Sequence, residues 1–295
     1  MRCLALVLFV LVSKLAVAQN IESYGIYGGF NIPFTSDQGL ARDPRFVTKF
    51  LIRATPIGIN YGYDHVDFGY NISPCFVRIG QQFTIKNTAG GDVGSRDVSM
   101  SYLSVPMSLK IHINDMAFFR FSLVAGLNAA FLIHGEETIT HTASKLYYPA
   151  EVAIPDDPNY IKVYDGVFVP DVNKQVYVSS DKFRVFQLFG SIGANAEFDF
   201  NDDWGLFFDG RANFGLFDPR KSSYTDLLKT GTNVPDVYGS RREIFLSGTI
   251  GISRIIQIKP NFKSKVSAPV PKMKMAHQKF DNKIKVKQTM RKKKK

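Results

Sequence analysis

Between residues 134 and 144 the chain carries His134, Glu136, Glu137, His141 and Ser144. These are the residue types of a hydroxyl nucleophile, an imidazole base and a carboxylate that orients it. Such a set performs acyl transfer or hydrolysis only when the base reaches the nucleophile and the third group holds the base. Nothing in this spacing enforces that, and ordinary polar loop composition accounts for the same residues. Other chemistries leave fewer traces. The five histidines lack His-x-x-x-His spacing, Asp156 and Asp157 precede Pro158 as turn residues do, and Gly90-Gly91 lacks the Lys-Ser/Thr that completes a phosphate loop. Two cysteines, Cys3 and Cys75, exclude a disulfide framework and a cysteine zinc site. The expectation is therefore no catalytic residue, no metal and no cofactor.

A second set of chemically active groups is spread further along the chain: Arg78, Lys110, Arg120, Glu197, Asp209 and Arg211. They lie on the polar face of segments whose other face is apolar. From 186 to 200 the even positions read Phe186, Leu188, Gly190, Ile192, Ala194, Ala196, Phe198 and Phe200, with Gln187, Ser191, Asn195, Glu197 and Asp199 between them. The same period of two runs through 101–113, 119–133, 204–216 and 244–256. Segments 22–34, 54–63 and 67–86 complete a set of eight strands, the last slipping register near Pro74 as at a bulge. The links at 64–66, 114–117 and 201–203 are tight, whereas those at 35–53, 87–99, 134–184 and 217–242 are long.

A soluble sandwich would turn the apolar face inward, and a membrane barrel would turn it to lipid. Three features favour the barrel. The short and long connections alternate, which places every tight turn at one end. Aromatics gather beside those turns: Tyr61, Tyr63, Phe68, Tyr70, Phe119, Phe121, Phe198, Phe200 and Trp204, the composition of an interfacial girdle on the periplasmic side. The six charged residues would be costly in a dry core but can pair in a lumen. At the front of the chain, Arg2, an apolar run over 4–12 and Ala16-Val17-Ala18 read as a secretory signal peptide, residues 1–18. That run is too short to span a bilayer.

The pattern, with Tyr24-Gly25-Ile26-Tyr27-Gly28-Gly29-Phe30, Tyr102-Leu103-Ser104-Val105-Pro106 and Ala125-Gly126-Leu127-Asn128, resembles the "outer membrane protein beta-barrel domain" family over residues 19–258. Its members are porin-like barrels of OmpA/OmpX size, and PorT proteins of the type IX secretion pathway are among them. The resemblance implies an all-β, eight-stranded antiparallel transmembrane barrel in the outer membrane, with short periplasmic turns and long extracellular loops. It implies no reaction. Some eight-stranded outer-membrane barrels modify lipid A with a Ser-His-acid arrangement at the outer rim, which keeps that activity as a third reading.

Side chains just fill the interior of eight strands, so the sequence predicts a lumen ion-pair network that fixes strand register. The alternative is a narrow ion or proton path through Lys110, His112, Arg120 and Arg211. In loop 134–184, the alternating segments 160–169 and 174–180 suggest a hairpin standing above the membrane and contacting an external ligand.

The net charge of +11 is concentrated at the C-terminus. Residues 259–295 hold 13 Lys, Arg291 and a single acid, Asp281, a net +13, which leaves −2 for the rest. Pro260, Pro269 and Pro271 break early structure there, so a largely disordered tail is expected. An even number of crossings places it in the periplasm. That compartment excludes nucleic acid as the partner of Lys283, Lys285, Lys287, Arg291, Lys292, Lys293, Lys294 and Lys295. Cell wall, lipid headgroups or an acidic envelope protein remain. The leading expectation is a non-enzymatic anchor or scaffold in an envelope or secretion assembly. A barrel recognising an external ligand through loop 134–184 comes second.

Overall fold

The structure, a computed structural model, describes residues 20–258 apart from 117, 231–233 and 235. The expected signal peptide and basic tail lie outside the described residues. No helix among them is long and apolar enough to cross a membrane.

The period-two segments form strands, and the strands close on themselves. In chain order these are β1 (Asn20–Asp37), β2 (Phe46–Lys49), β3 (Ile57–Asp64), β4 (Phe68–Ile72), β5 (Cys75–Ile79), β6 (Gln82–Lys86), β7 (Asp92–Met116) and β8 (Phe119–His141). They continue as β9 (Ser144–Leu146), β10 (Ile161–Val163), β11 (Gly166–Val169), β12 (Val172–Val178), β13 (Phe186–Asp199), β14 (Trp204–Gly215) and β15 (Arg241–Ile258). Two helices, α1 (Gln38–Arg42) and α2 (Ser222–Thr230), lie in the long connections. Strand β1 pairs β3 on one side and, in register from Asn20↔Ile258 to Asp37↔Arg241, β15 on the other. From β15 the antiparallel ladder runs through β14, β13, β8 and β7. It returns through β4 and β5 to β3. A closed ladder leaves no open edge.

The ring departs from eight unbroken strands at one place. Between β3 and β7 the position is filled first by β4 and then by β5, so nine strands make the ring. The break falls at Ser73 and Pro74, because proline has no N–H for the ladder. The neighbours bridge it: Ser73 N donates to Pro106 O at 3.0 Å, and Pro74 O accepts from Ile59 N at 3.0 Å.

Alternation places Leu109 and Ile111 of β7, Leu123 and Leu127 of β8, and Leu246 and Ile250 of β15 on the outside, all exposed. So continuous an apolar exterior is far larger than water tolerates on a monomer; it suits lipid. The inner face is not uniformly polar. Towards the long-loop end it carries Tyr102, Phe189 and Phe245, packed edge to face at 6.3 and 5.5 Å. These join Met100, Phe183, Tyr224 and Leu228 in one buried apolar cluster that closes the ring from within.

Strands β7 and β8 have 25 and 23 residues, about twice what a tilted strand needs to span hydrocarbon. Much of what the sequence marked as loop, 87–99 and 134–141, is therefore strand. On these upper halves β12 pairs β8, β6 pairs β7 and β2 pairs β6. The expected hairpin between 160–169 and 174–180 does not form. Strands β10 and β11 pair with each other and with β9 as a separate three-stranded sheet, while β12 joins β8. Strand β12 instead follows the upper half of β8, from Val172↔His141 to Val178↔Glu137.

An arginine on the outer face is expected to cost about 2–4 kcal/mol at mid-bilayer depth. Leu127→Arg should lower unfolding stability in lipid vesicles by that amount. Tyr164→Arg, at a fully exposed position of the long-loop end, should leave it unchanged. Denaturant titration of both variants checks this.

Candidate ligand-binding cavity and the charged lumen

The charged groups occupy three levels inside the ring. Nearest the tight turns, Lys110 of β7 is buried and reaches Asp64 at 2.7 Å and Glu197 at 2.9 Å. Arg120 lies 3.7 Å from both acids and 3.2 Å from Asp115. His112 bonds Ser122 Oγ through Nδ1 at 2.7 Å. Sequence reading treated Asp64 only as a turn residue. Its parity with Asn60 and Gly62 on β3 was the signal that it faces the lumen.

One level up, Arg211 and Asp209 are two residues apart on β14 and so share its inner face. They pair at 2.6 Å through Nε and 2.8 Å through Nη2, and Arg211 Nη1 donates to Ser108 Oγ at 3.1 Å. Gly193 leaves the room: a Cβ there would lie 2.1 Å from Gly210 O and 3.0 Å from Arg211 Cγ. Tyr27, Asn71, Ser104 and Asn128 line a remaining lumen cavity of about 50 Å³. Arg78, expected in the lumen, is not there. Odd-inward parity runs unbroken from Asn71 through Ser73, Cys75 and Val77, so Arg78 is exposed on the side of exposed Phe76, its Nε donating to Ser99 Oγ at 2.8 Å. The six residues read as one network are thus two clusters and a separate cation.

The third level is an ion-pair network that sequence reading missed. Glu137 of β8 sits between Arg96 of β7 and Arg241 of β15, all three 1% exposed. Arg96 also forms a two-pronged pair with Asp236 at 2.7 Å on each prong. Arg241 reaches Glu243 at 3.1 Å, and Asp37 lies between Arg241 and Arg220, 3.7 and 3.6 Å away. The partners come from segments classed as loops, so no spacing in the sequence joins them.

The network ends at an aromatic wall. The Arg96 guanidinium lies over Phe46 at 5.0 Å and Tyr177 at 4.7 Å. Arg45 lies over the Phe46 and Tyr148 rings at 5.1 and 4.3 Å, and Asp43 holds it through Nε and Nη2. Behind this wall opens a cavity of about 460 Å³ between β12 and the segment leading to β10. Tyr160, Asp157, Asn159, Gln175, His141 and Asp171 also line it, among apolar residues that include Ile85, Ile139, Leu146 and Val172.

The residues first considered for acyl chemistry are not brought together. His134 Nε2 is 3.5 Å from Glu136 on an exposed rim, and Glu137 is committed to the arginines. His141 Nδ1 faces Thr142 O at 3.3 Å, and Ser144 Oγ has no hydrogen-bond partner among the described residues. The turn-end aromatics contact one another: Tyr63 stacks on Tyr70 at 5.1 Å, Tyr61 meets Tyr70 at 6.2 Å, and Phe119 meets Phe198 at 4.8 Å. Phe68 stacks on His65 at 5.2 Å, while Phe200 and Trp204 are exposed and Phe121 half-buried. The tail cations from Lys283 to Lys295 lie outside the described residues.

Burial alone would raise the Glu137 carboxyl, but Arg241 and Arg96 beside it hold it down to about 2. Because this lies below the value of about 4.3 for an unfolded glutamate, the stabilisation is complete above that pH and is lost as pH falls towards 2. The unfolding midpoint in detergent should therefore be level through neutral pH and drop below about pH 4. Glu137→Gln should cost about 3–5 kcal/mol at neutral pH, leaving buried arginines unpaired, and should flatten the acid limb. Identical acid limbs in the two proteins would refute this role.

A family model described as "outer membrane protein beta-barrel domain" matches residues 10–219. No curated protein matches the chain. Among solved structures, the chain is similar to Ail, the attachment invasion locus protein of Yersinia pestis, at 10% identity over 79% of this chain and 98% of that one, with a TM-score of 0.31. It is similar to the outer membrane protease OmpT of Escherichia coli at 12% identity, 82% and 98% coverage and a TM-score of 0.36. The corresponding figures for outer membrane protein OprG of Pseudomonas aeruginosa are 8%, 82%, 97% and 0.34. With more than half of the chain matched by the family model and its strands closed into an apolar-faced ring, the protein belongs to the outer membrane protein beta-barrel domain family.

Proposed function

We propose that this outer-membrane barrel recognises a ligand outside the cell through the cavity at its long-loop end. The observation that carries the reading is that cavity, about 460 Å³ and within the size range of small-ligand sites. Its wall is held rigid by stacked arginines with committed carboxylate partners. The orientation follows the rule for bacterial barrels, short turns in the periplasm and long loops outside. The separation of Ser144, His141 and Glu137 supports binding in place of acyl chemistry on lipid A. The apolar layer of Tyr102, Phe189 and Phe245 across the lumen supports a closed barrel, not a solute channel.

Labelling tests the orientation. Tyr164→Cys should react with a membrane-impermeant maleimide on intact cells, with buried Cys75 as the unreactive background. Reaction only after the outer membrane is permeabilised would overturn the external reading.

The net +13 of residues 259–295 supports a second, anchoring role. A periplasmic tail so charged tethers the barrel to an anionic cell-wall or envelope partner, each cation contributing about 1 kcal/mol near an anionic surface. Full-length protein should be retained by cell-wall sacculi or periplasmic extract at low salt and released at high salt. A truncation to residues 1–258 should not be retained; equal recovery of both forms would remove the tether.

A further inference from the structure

The lining of the loop-end cavity narrows the class of ligand. Its cation, Arg45, is neutralised by the two-pronged pair with Asp43. Burial lowers the His141 pKa and so disfavours its charged form. Two further acids, Asp157 and Asp171, line the space. An anionic ligand would thus meet net negative charge. A cationic ligand would be drawn by Asp157 and Asp171 but would meet no aromatic cage, since the faces of Phe46, Tyr148 and Tyr177 already carry the guanidinium groups of Arg45 and Arg96. A wholly apolar ligand would strip water from Asp157, Asn159, Gln175 and Asp171 and return no hydrogen bonds, at about 1–3 kcal/mol for each polar group.

What fits is a molecule with one apolar face and a rim of hydroxyls. Tyr160 packs against the apolar cluster of Ile85, Leu146, Val167 and Val169, lines the cavity, and carries no cation or stacked ring among the described residues, so its ring can offer a π face to the weakly positive C–H groups of a pyranose. Asp157 is prepositioned: its Oδ1 accepts from Asn159 N and Nδ2, both at 2.8 Å. This leaves Oδ2 of Asp157 and the side-chain oxygen of Asn159 to accept hydroxyl protons, while Gln175 on β12 supplies both a donor and an acceptor.

We infer that the cavity binds an uncharged pyranose unit of an external glycan, with Tyr160 as its stacking platform and Asp157, Asn159 and Gln175 as its hydroxyl partners. The inference rests on the external-recognition reading and specifies its ligand.

The test uses the full-length protein in detergent micelles on an array of neutral hexose, deoxyhexose and N-acetylhexosamine oligosaccharides, beside oligouronates, sulfated sugars and choline. Hits are then titrated by calorimetry. At least one neutral oligosaccharide should bind, and Tyr160→Ala should weaken it at least tenfold while the heat-dependent gel mobility of the barrel is unchanged. Should Tyr160→Ala fail to fold, Asn159→Ala is expected to give the same loss. No binding to any neutral glycan, or equal binding by wild type and both variants, overturns the inference. Tyr160-dependent binding of choline or an oligouronate instead overturns the sugar class but leaves loop-end recognition standing. Neutral-sugar binding without surface labelling of Tyr164→Cys upholds the ligand and overturns the external location.

Discussion

A peptide group in hydrocarbon has no water to bond with, so every N–H and C=O in the spanning part of this chain must find a partner in the chain itself. The pairing of β1 with β15 meets that demand. Without it, both terminal strands would present a row of unmet donors and acceptors to lipid. Once the ring is closed, each inner side chain faces a wall of side chains instead of solvent. The charges that alternation forces inward must then pair among themselves. Lys110 with Asp64 and Glu197, and Arg211 with Asp209, are consequences of closure rather than independent sites.

The same closure makes the loop end possible. Strands β7 and β8 rise together from the ring, and their pairing carries Arg96 and Glu137 above the membrane. Arg241 arrives from β15, next to the closing seam. Burying so many charges is not a cheap source of stability, since desolvation offsets most of the attraction. Its structural effect is registry, because these groups can pair only when five distant segments meet in one arrangement. Phe46 lies under both Arg96 and Arg45, so the buried network and the cavity wall share a side chain. The rigidity of one is passed to the other by direct contact.

Much of the barrel was legible because a period of two is a local property. Phe186 to Phe200 and Trp204 to Leu216 announce their outer faces residue by residue, and the structure keeps those faces. Pro74 also marked its own disturbance, although the outcome was a strand cut in two and not a bulge. The misses share one cause. Asp64 stands at a turn by spacing but inside the ring by parity. Arg96, Asp236 and Arg241 fall in segments without clear alternation, and segment 174–180 pairs with β8 and not with 160–169. Partners far apart in sequence have no spacing that reveals them.

The sequence by itself therefore determined, Arg78 excepted, which side chains of the alternating strands face lipid and which face inward, where the strands turn, and where the charge is concentrated. These follow from steric alternation along a strand and from composition, and both are written in adjacent residues. Only the tertiary structure decided that Glu137 is an anchor between two arginines and not the acid of a catalytic set. It alone seated Arg45 against Tyr148 and opened a cavity behind them. Those outcomes depend on closing loops of tens to hundreds of residues. The closure entropy is repaid only when all the buried charges meet at once.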